Sequence, residues 1–301
     1  MSLLVTGSIG IDSVETPHGK VENVLGGSAV YFSLAASLYT DVQMVGVVGE
    51  DFDMTQFDPL RDRRIDISGV ERRAGSQTFR WQGKYQGAMN EAETVGVALN
   101  VLAERPAEIP AEYRDCQYVF LANTHPAAQA EFARQMSNSK LIVSDTMNLW
   151  IEHERAALLE TLKLVHGLVL NEGEARMLTQ ESNLALAGRA ILRMGPRFVV
   201  IKKGENGSLL VSNEGLFVAP AYPTTNTVDP TGCGDTFAGA MVGYLASQGQ
   251  LDHATLRKGM ARGSVVASFV IESFSIHALA SVKKEQVEQR LRELVEISEI
   301  H

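Results

Sequence analysis

Cysteine is scarce in this 301-residue chain: there are two, Cys116 and Cys233, far apart and in unlike surroundings. That excludes a disulfide framework and points to a reducing compartment. Positive charge is also in short supply, 27 Lys and Arg against 36 Asp and Glu, for a formal net charge of −9. A protein whose main partner is nucleic acid needs clustered cations, so that class is set aside, whereas a single nucleotide needs only a local site. No apolar run approaches the roughly 18 residues of a membrane-spanning helix. The opening Met-Ser-Leu-Leu-Val-Thr-Gly-Ser has no basic segment and runs directly into a strand-like stretch. Neither a signal peptide nor a membrane partner is expected, and the chain reads as cytoplasmic. Two nucleotide signatures are missing as well. There is no Walker lysine motif, which removes P-loop phosphotransferases, and Gly7-Ser8-Ile9-Gly10-Ile11-Asp12 after the first strand lacks the glycine spacing of a dinucleotide oxidoreductase.

What is present is an ordinary globular composition, 45% hydrophobic and 21% charged, with enough length for a large core. Short apolar runs at 3–5, 44–48, 118–121, 141–143, 168–170 and 198–201 read as buried strands. Between them, 30–38, 127–136, 153–164 and 184–192 carry apolar residues three and four apart and read as helices. This alternation predicts an α/β fold whose mostly parallel sheet is covered by helices. The last third adds strands at 209–211 and 216–218 and helices beginning at Asp235, His253 and Val282. No repeat, low-complexity tract or flexible linker interrupts 1–301, which predicts one compact domain.

Two segments break the alternation. From Gln77 to Tyr85, Phe79, Trp81 and Tyr85 fall on one face and Thr78, Arg80, Gln82 and Lys84 on the other, the pattern of a half-exposed antiparallel strand. Between Ser13 and Leu25, Pro17-His18-Gly19 marks a turn flanked by two apolar stretches. On pattern alone these are surface hairpins.

The run Asp229-Pro230-Thr231-Gly232-Cys233-Gly234-Asp235, continuing into an apolar stretch, carries the most chemistry. A helix starting at 231–235 aims the N–H groups of Gly232, Cys233 and Gly234 at one point, and with the helix dipole behind them they make an anion site. Asp235 then stands at its edge, where a carboxylate can take a proton from an attacking hydroxyl. A Gly-rich turn capped by aspartate would have the same spacing.

This run resembles the C-terminal signature of the ribokinase-like (PfkB) family of carbohydrate and nucleoside kinases. The resemblance implies a three-layer α/β/α ribokinase-like fold with a small β-sheet lid drawn from about 13–25 and 75–98. It implies an ATP-dependent kinase that phosphorylates a hydroxymethyl group of a sugar, with a nucleoside as the alternative acceptor and a non-catalytic ligand-binding relative as a third, disfavoured by the presence of Asp235. Under it, Gly232, Cys233 and Gly234 form the anion hole and Asp235 is the catalytic base. Thr231 falls on the nucleotide side, and Asp229 and Thr231 stand where some relatives offer oxygens to a monovalent cation such as K+.

Other positions follow the family order. Asp12, beyond the first strand, matches the aspartate that grips substrate hydroxyls. Gly26-Gly27 matches the N-terminal glycine pair, where the backbone approaches the acceptor and an N–H at the helix start can bond a hydroxyl. Four residues on, where many relatives carry a substrate-contacting asparagine, this chain has Tyr31, with Ser33 as the nearby polar alternative. Asn171 and Glu174 resemble the Asn-x-x-Glu motif that serves ATP and, through water, Mg2+, although Asn with Glu three residues on is also a capping box. Lys203 and Gly204 lie where the family places a Gly-rich loop under the nucleotide, and Ser268 lies on the helix walling the adenine pocket. Asp145 and Asn148 match a place of polar residues near the phosphates, and Asn123 and His125 end a strand on the substrate side. Ser273-Phe274-Ser275 replaces a glycine common in relatives. A homodimer through the lid is one way to cover the lid aromatics.

Overall fold

The apolar runs of the sequence send alternate side chains to opposite sides, and each side finds a helical layer. The computed structural model describes residues 2–90 and 92–299. Its strands are β1 (Ser2–Thr6), β2 (Gly10–Thr16), β3 (Gly19–Gly26), β4 (Asp41–Gly49), β5 (Ile65–Arg73), β6 (Phe79–Tyr85), β7 (Ala92–Ala98), β8 (Tyr118–Leu121), β9 (Leu141–Asp145), β10 (Gly167–Asn171), β11 (Phe198–Lys202), β12 (Ser208–Ser212) and β13 (Gly215–Ala219). Its α-helices are α1 (Ser28–Ala36), α2 (Asp58–Arg61), α3 (Pro126–Gln135), α4 (Asn148–His153), α5 (Arg155–Leu162), α6 (Glu172–Thr179), α7 (Leu184–Leu192), α8 (Cys233–Gln248), α9 (His253–Val270), α10 (His277–Ser281) and α11 (Lys284–Ser298).

The large sheet has the order β13-β12-β11-β10-β9-β8-β1-β4-β5. From β11 across to β5 neighbouring strands are parallel, and β12 and β13 are appended antiparallel. Leu3, Val5, Val143 and Val200 face α1, α8, α9 and α11 in one core, while Leu4, Val119, Leu168 and Ile201 face α3, α5, α6 and α7 in the other. The result is a three-layer α/β/α arrangement, as expected.

A second sheet, β3-β2-β6-β7, stands apart from the first. The hairpin at 13–25 is there, with β2 and β3 antiparallel. The strand expected at 77–85 is β6, but it is antiparallel only to β7; against β2 it runs parallel. The topology explains this correction. The chain enters β2 straight from the end of β1 and returns to β6 only after α1, β4 and β5, so both strands leave the large sheet at the same end. The lid aromatics are also less exposed than expected. Phe79 rests over Gly10, Trp81 lies over Gly83 and donates from Nε1 to Thr94 Oγ1 (3.2 Å), and Tyr85 is buried with Val14 and Met89. The exposed apolar side chains of this sheet are Val95 and Val97 on the edge strand β7, 62% and 57% accessible.

Three boundaries differ from the sequence reading. The helix expected over 153–164 breaks at Glu154 (φ −125°, ψ 31°) into α4 and α5. The last helix starts at Lys284, because Val282 is extended after the short α10. Strand β5 had no apolar run to announce it.

Candidate active site

The carboxyl ends of the parallel strands deliver Asn123, Asp145, Asn171 and Lys202 to one end of the sheet, the usual place for a ligand in such folds. The start of α8 completes the site. Its N-cap, Gly232, sits in the left-handed region (φ 77°, ψ −1°), and a Cβ there would overlap the ring of Tyr31. Glycine is therefore required twice over, by dihedral and by space. The preceding turn uses one of the three expected anion-hole amides: Cys233 N–H donates to Pro230 O (3.1 Å). This corrects the expectation of three free donors. The N–H groups of Gly232 and Gly234 have no partner among the described residues and remain available at the head of the helix dipole.

Asp235, in the first turn of α8, is mostly buried, and its carboxyl is pushed from 3.8 up to about 7. Burial is the main cause and the charge of Asp145 adds to it, against the pull of Lys202 and of its own backbone N–H.

On the other side of Gly232 lie Tyr31 and Asp12. Asp12 is in strand β2 rather than a loop, 5% exposed, and its carboxylate fills the space where a Cβ on Gly26 would be. Gly27 (φ 101°) donates its N–H to that carboxylate. The glycine pair thus builds the seat of Asp12. The other first amides of α1 are also committed, Ser28 N to Ser8 Oγ (3.0 Å) and Ala29 N to Ser8 O (3.1 Å), leaving none of these for an acceptor hydroxyl. Burial, with the charges of Asp229 and Asp235, raises Asp12 from 3.8 to about 7. Tyr31 is buried beneath Gly232, within electrostatic reach of Asp12, Asp229 and Asp235.

A third group centres on Lys202, a residue the sequence reading passed over in favour of Lys203. Its Nζ is 3.6 Å from Asp145 Oδ2 and 2.8 Å from where a Cβ on Gly234 would be, so it sits against the anion loop. Burial works to lower its pKa, and Asp145, Glu174 and Asp235 together outweigh that and raise it. Glu174 is buried and held by a capping box. Asn171 N–H donates to Glu174 Oε2 (2.6 Å), and Glu174 N–H donates to Asn171 Oδ1 (2.8 Å). The capping geometry and the site position therefore coexist. Burial, against Lys202 and reinforced by Asp145, lifts Glu174 from 4.5 to about 7. Asp145 is also raised by burial, with Lys202 opposing.

Asp229 is buried. Its Oδ1 accepts from Thr231 N (2.9 Å), and its Oδ2 has no partner among the described residues. Ser275 adopts the left-handed region (φ 55°) and turns its N–H to Asp229.

The remaining candidates lie further out. Lys203 and Gly204 form the β11–β12 turn, with Gly204 exposed at φ 53°. Ser268 is buried with its hydroxyl fully engaged, donating to Val265 O (2.6 Å) and accepting from Arg290 Nη1 (2.8 Å). Arg290 was not anticipated. It clasps Glu272 with Nη2 and lies over the Phe269 ring at 3.7 Å, joining α11 to the end of α9. Asn123 accepts from Trp150 Nε1 (2.9 Å) and donates to Met147 Sδ (3.0 Å), while its carbonyl abuts Ser28. His125 caps α3.

Among the described residues, no three His, Cys, Asp or Glu converge as a direct metal site. Four buried carboxyls, Asp12, Asp145, Glu174 and Asp229, and the mostly buried Asp235 stand against a single mostly buried ammonium, Lys202, which feels Asp145, Glu174 and Asp235. That imbalance fits a cation held through water and ligand oxygens rather than by a protein cage.

The sequence profile described as pfkB family carbohydrate kinase matches residues 2–281. The chain is 31% identical over 275 residues to the cytidine kinase of Thermococcus kodakarensis, covering 88% of this chain and 96% of that protein. In fold it resembles Arabidopsis thaliana ribokinase complexed with ribose and ATP (TM-score 0.79, 18% identity, 96% and 98% covered). It also resembles an E. coli protein described as a putative ribokinase II, in complex with ATP and Mg2+ (TM-score 0.78, 17% identity, 97% and 99% covered).

Proposed function

Because this chain belongs to the pfkB family of carbohydrate kinases, phosphotransferases with an alcohol acceptor, we propose that it is one catalytic domain moving the γ-phosphoryl group of ATP to a hydroxymethyl group, with Asp235 as the base. The observation that carries this reading is the juxtaposition at the head of α8. Two unpartnered amides, the dipole and Lys202 provide for an anion, and a mostly buried carboxyl near pKa 7 stands beside them. Phosphoryl transfer asks for positioning and charge stabilisation more than covalent chemistry, and these groups supply both. Asp12 accepts hydroxyl donors of the acceptor ring, and Asp235 takes the proton of its hydroxymethyl group. The motifs alone favour a free sugar; similarity along nearly the whole length of a cytidine kinase tips the reading to a ribose ring carried by a nucleoside.

Glu174 and Asp145 would hold hydrated Mg2+, which would supply positive charge to the phosphate groups. A K+ requirement belongs to the same proposal, supported by the buried, unpartnered Asp229 Oδ2. Cytoplasmic residence is supported by two free cysteines, Cys116 and Cys233, in a chain in which no described helix is long and apolar enough to cross a membrane. A homodimer through the lid is supported by Val95 and Val97 on its open edge, apolar surface that a second copy would cover.

The test is product analysis. Purified protein with Mg-ATP is offered cytidine, other nucleosides and free ribose in parallel. A phosphorylated nucleoside at the highest kcat/KM supports the reading, phosphorylated ribose alone returns it to the sugar, and neither product removes it.

A further inference from the structure

The aromatic side chains of lid strand β6 do not share one role. Phe79 and Trp81 pack on glycines within the lid, but Tyr85, at the strand's end, points its hydroxyl out of the lid altogether. Its Oη lies 3.3 Å from Thr231 Oγ1, across 146 positions of sequence. We propose that Tyr85 is a positioning residue for phosphoryl transfer, its hydroxyl holding Thr231 so that the anion loop is set only when the lid is closed. This rests on the kinase reading above.

Three observations carry the inference. The Tyr85 ring is fixed on the lid side, buried with Val14 of β2 and Met89 of the β6–β7 turn. Thr231 is fixed on the loop side, its N–H donating to Asp229 Oδ1 (2.9 Å). The Thr231 hydroxyl donates to Tyr85 Oη, so this one residue is tied by its N–H to Asp229 and by its side chain to the lid. Burial holds the Tyr85 phenol above its ordinary range, so the group that accepts from Thr231 is neutral. Finally, Thr231 adjoins Gly232, whose left-handed dihedral sets the direction of the two free amides. A lifted lid would take away this contact and leave the Thr231 hydroxyl without its acceptor. Beyond Tyr85 the same turn brings Asn90 beside Gly204, so this part of the lid spans from the strand of Asp12 to the β11–β12 turn.

A phenylalanine would fill the Val14–Met89 core equally well; only the hydroxyl reaches Thr231. The test is therefore Tyr85→Phe, alone and combined with Thr231→Val, with steady-state kinetics below the unfolding temperature of each variant. Loss of one net hydrogen bond predicts a kcat about threefold to tenfold lower for Y85F, with the acceptor KM nearly unchanged. In the T231V background the same substitution should change kcat by less than about twofold, since its partner is already gone. Thr231→Ser, which keeps the hydroxyl, should restore sensitivity to Y85F. Wild-type kcat in Y85F, or the same fold-loss in both backgrounds, would overturn the proposal. A wild-type protein that phosphorylates no acceptor would overturn the kinase reading and this inference with it, an outcome distinct from an active wild type with an unaffected Y85F.

Discussion

Asp12, buried, and Asp235, mostly buried, are carboxyls lifted to about 7, yet they are placed for different tasks. Asp235 is in the first turn of α8 beside the free amides, so Asp235→Asn should retain fold and ligand binding while losing the proton acceptor. Turnover should fall by about 10²- to 10⁴-fold, measured by product formation at saturating substrates. Asp12 is seated on Gly26 and Gly27 away from that helix, and Asp12→Asn should act on acceptor affinity instead. A buried hydroxyl losing a charged acceptor costs on the order of 1.5–3 kcal/mol, about tenfold to a hundredfold in acceptor KM with ATP affinity little changed. Because a base must be ionised to act, kcat/KM should rise with pH through about 7 in the wild type. At this scale the sequence was legible wherever a motif was local. Asp229 to Asp235 and the Gly26-Gly27 pair were found because neighbours in sequence are neighbours in the site. Lys202 and Asp145, 57 positions apart, were not placed as a pair, since only the order β11-β10-β9 brings them together, on strands that flank β10. Their shared signal was that each ends a buried strand at its carboxyl end.

Among the elements, α8 depends on its N-cap. Gly232→Ala meets both a left-handed dihedral and the Tyr31 ring, and should cost about 1–3 kcal/mol in stability. The accompanying distortion of the anion loop should lower kcat, and thermal unfolding alongside kinetics checks both effects. The lid makes a separate prediction. If it closes over the acceptor, Trp81 emission should change on adding acceptor in a Trp150→Phe background, which removes the second tryptophan. Unaltered emission at saturating acceptor and nucleotide would make the sheet a fixed wall. The lid strands were legible from period-two alternation, but alternation says nothing of pairing direction, so the parallel β2–β6 contact had to come from the path of the chain. Strand β5 escaped notice for a related reason. As the edge of the sheet it needs few apolar residues, and Ile65, Ile67 and Val70 stand among charges.

For the molecule as a whole, the buried and mostly buried carboxyls make stability a function of pH. Asp12, Glu174 and Asp235 bind protons more tightly folded than unfolded, their values moving from 3.8, 4.5 and 3.8 to about 7. The folded state then holds more protons across roughly pH 4 to 7, so its stability falls as pH rises through that window and levels off above it. A thermal-unfolding series of the ligand-free protein should show this decline, and Mg-ATP should flatten it by supplying the missing positive charge. The large sheet was readable almost strand by strand because parallel strands buried on both faces must be continuously apolar. The charge balance of the site was not, because it is a sum over six residues from distant elements. The central claim is that this site phosphorylates an alcohol at the expense of ATP with Asp235 as base. The direct measurement is product formation from Mg-ATP and cytidine or ribose by wild type and by Asp235→Asn, both confirmed folded. The account predicts acceptor phosphate from the wild type and a loss of at least about a hundredfold in the variant; equal rates from the two proteins would contradict it.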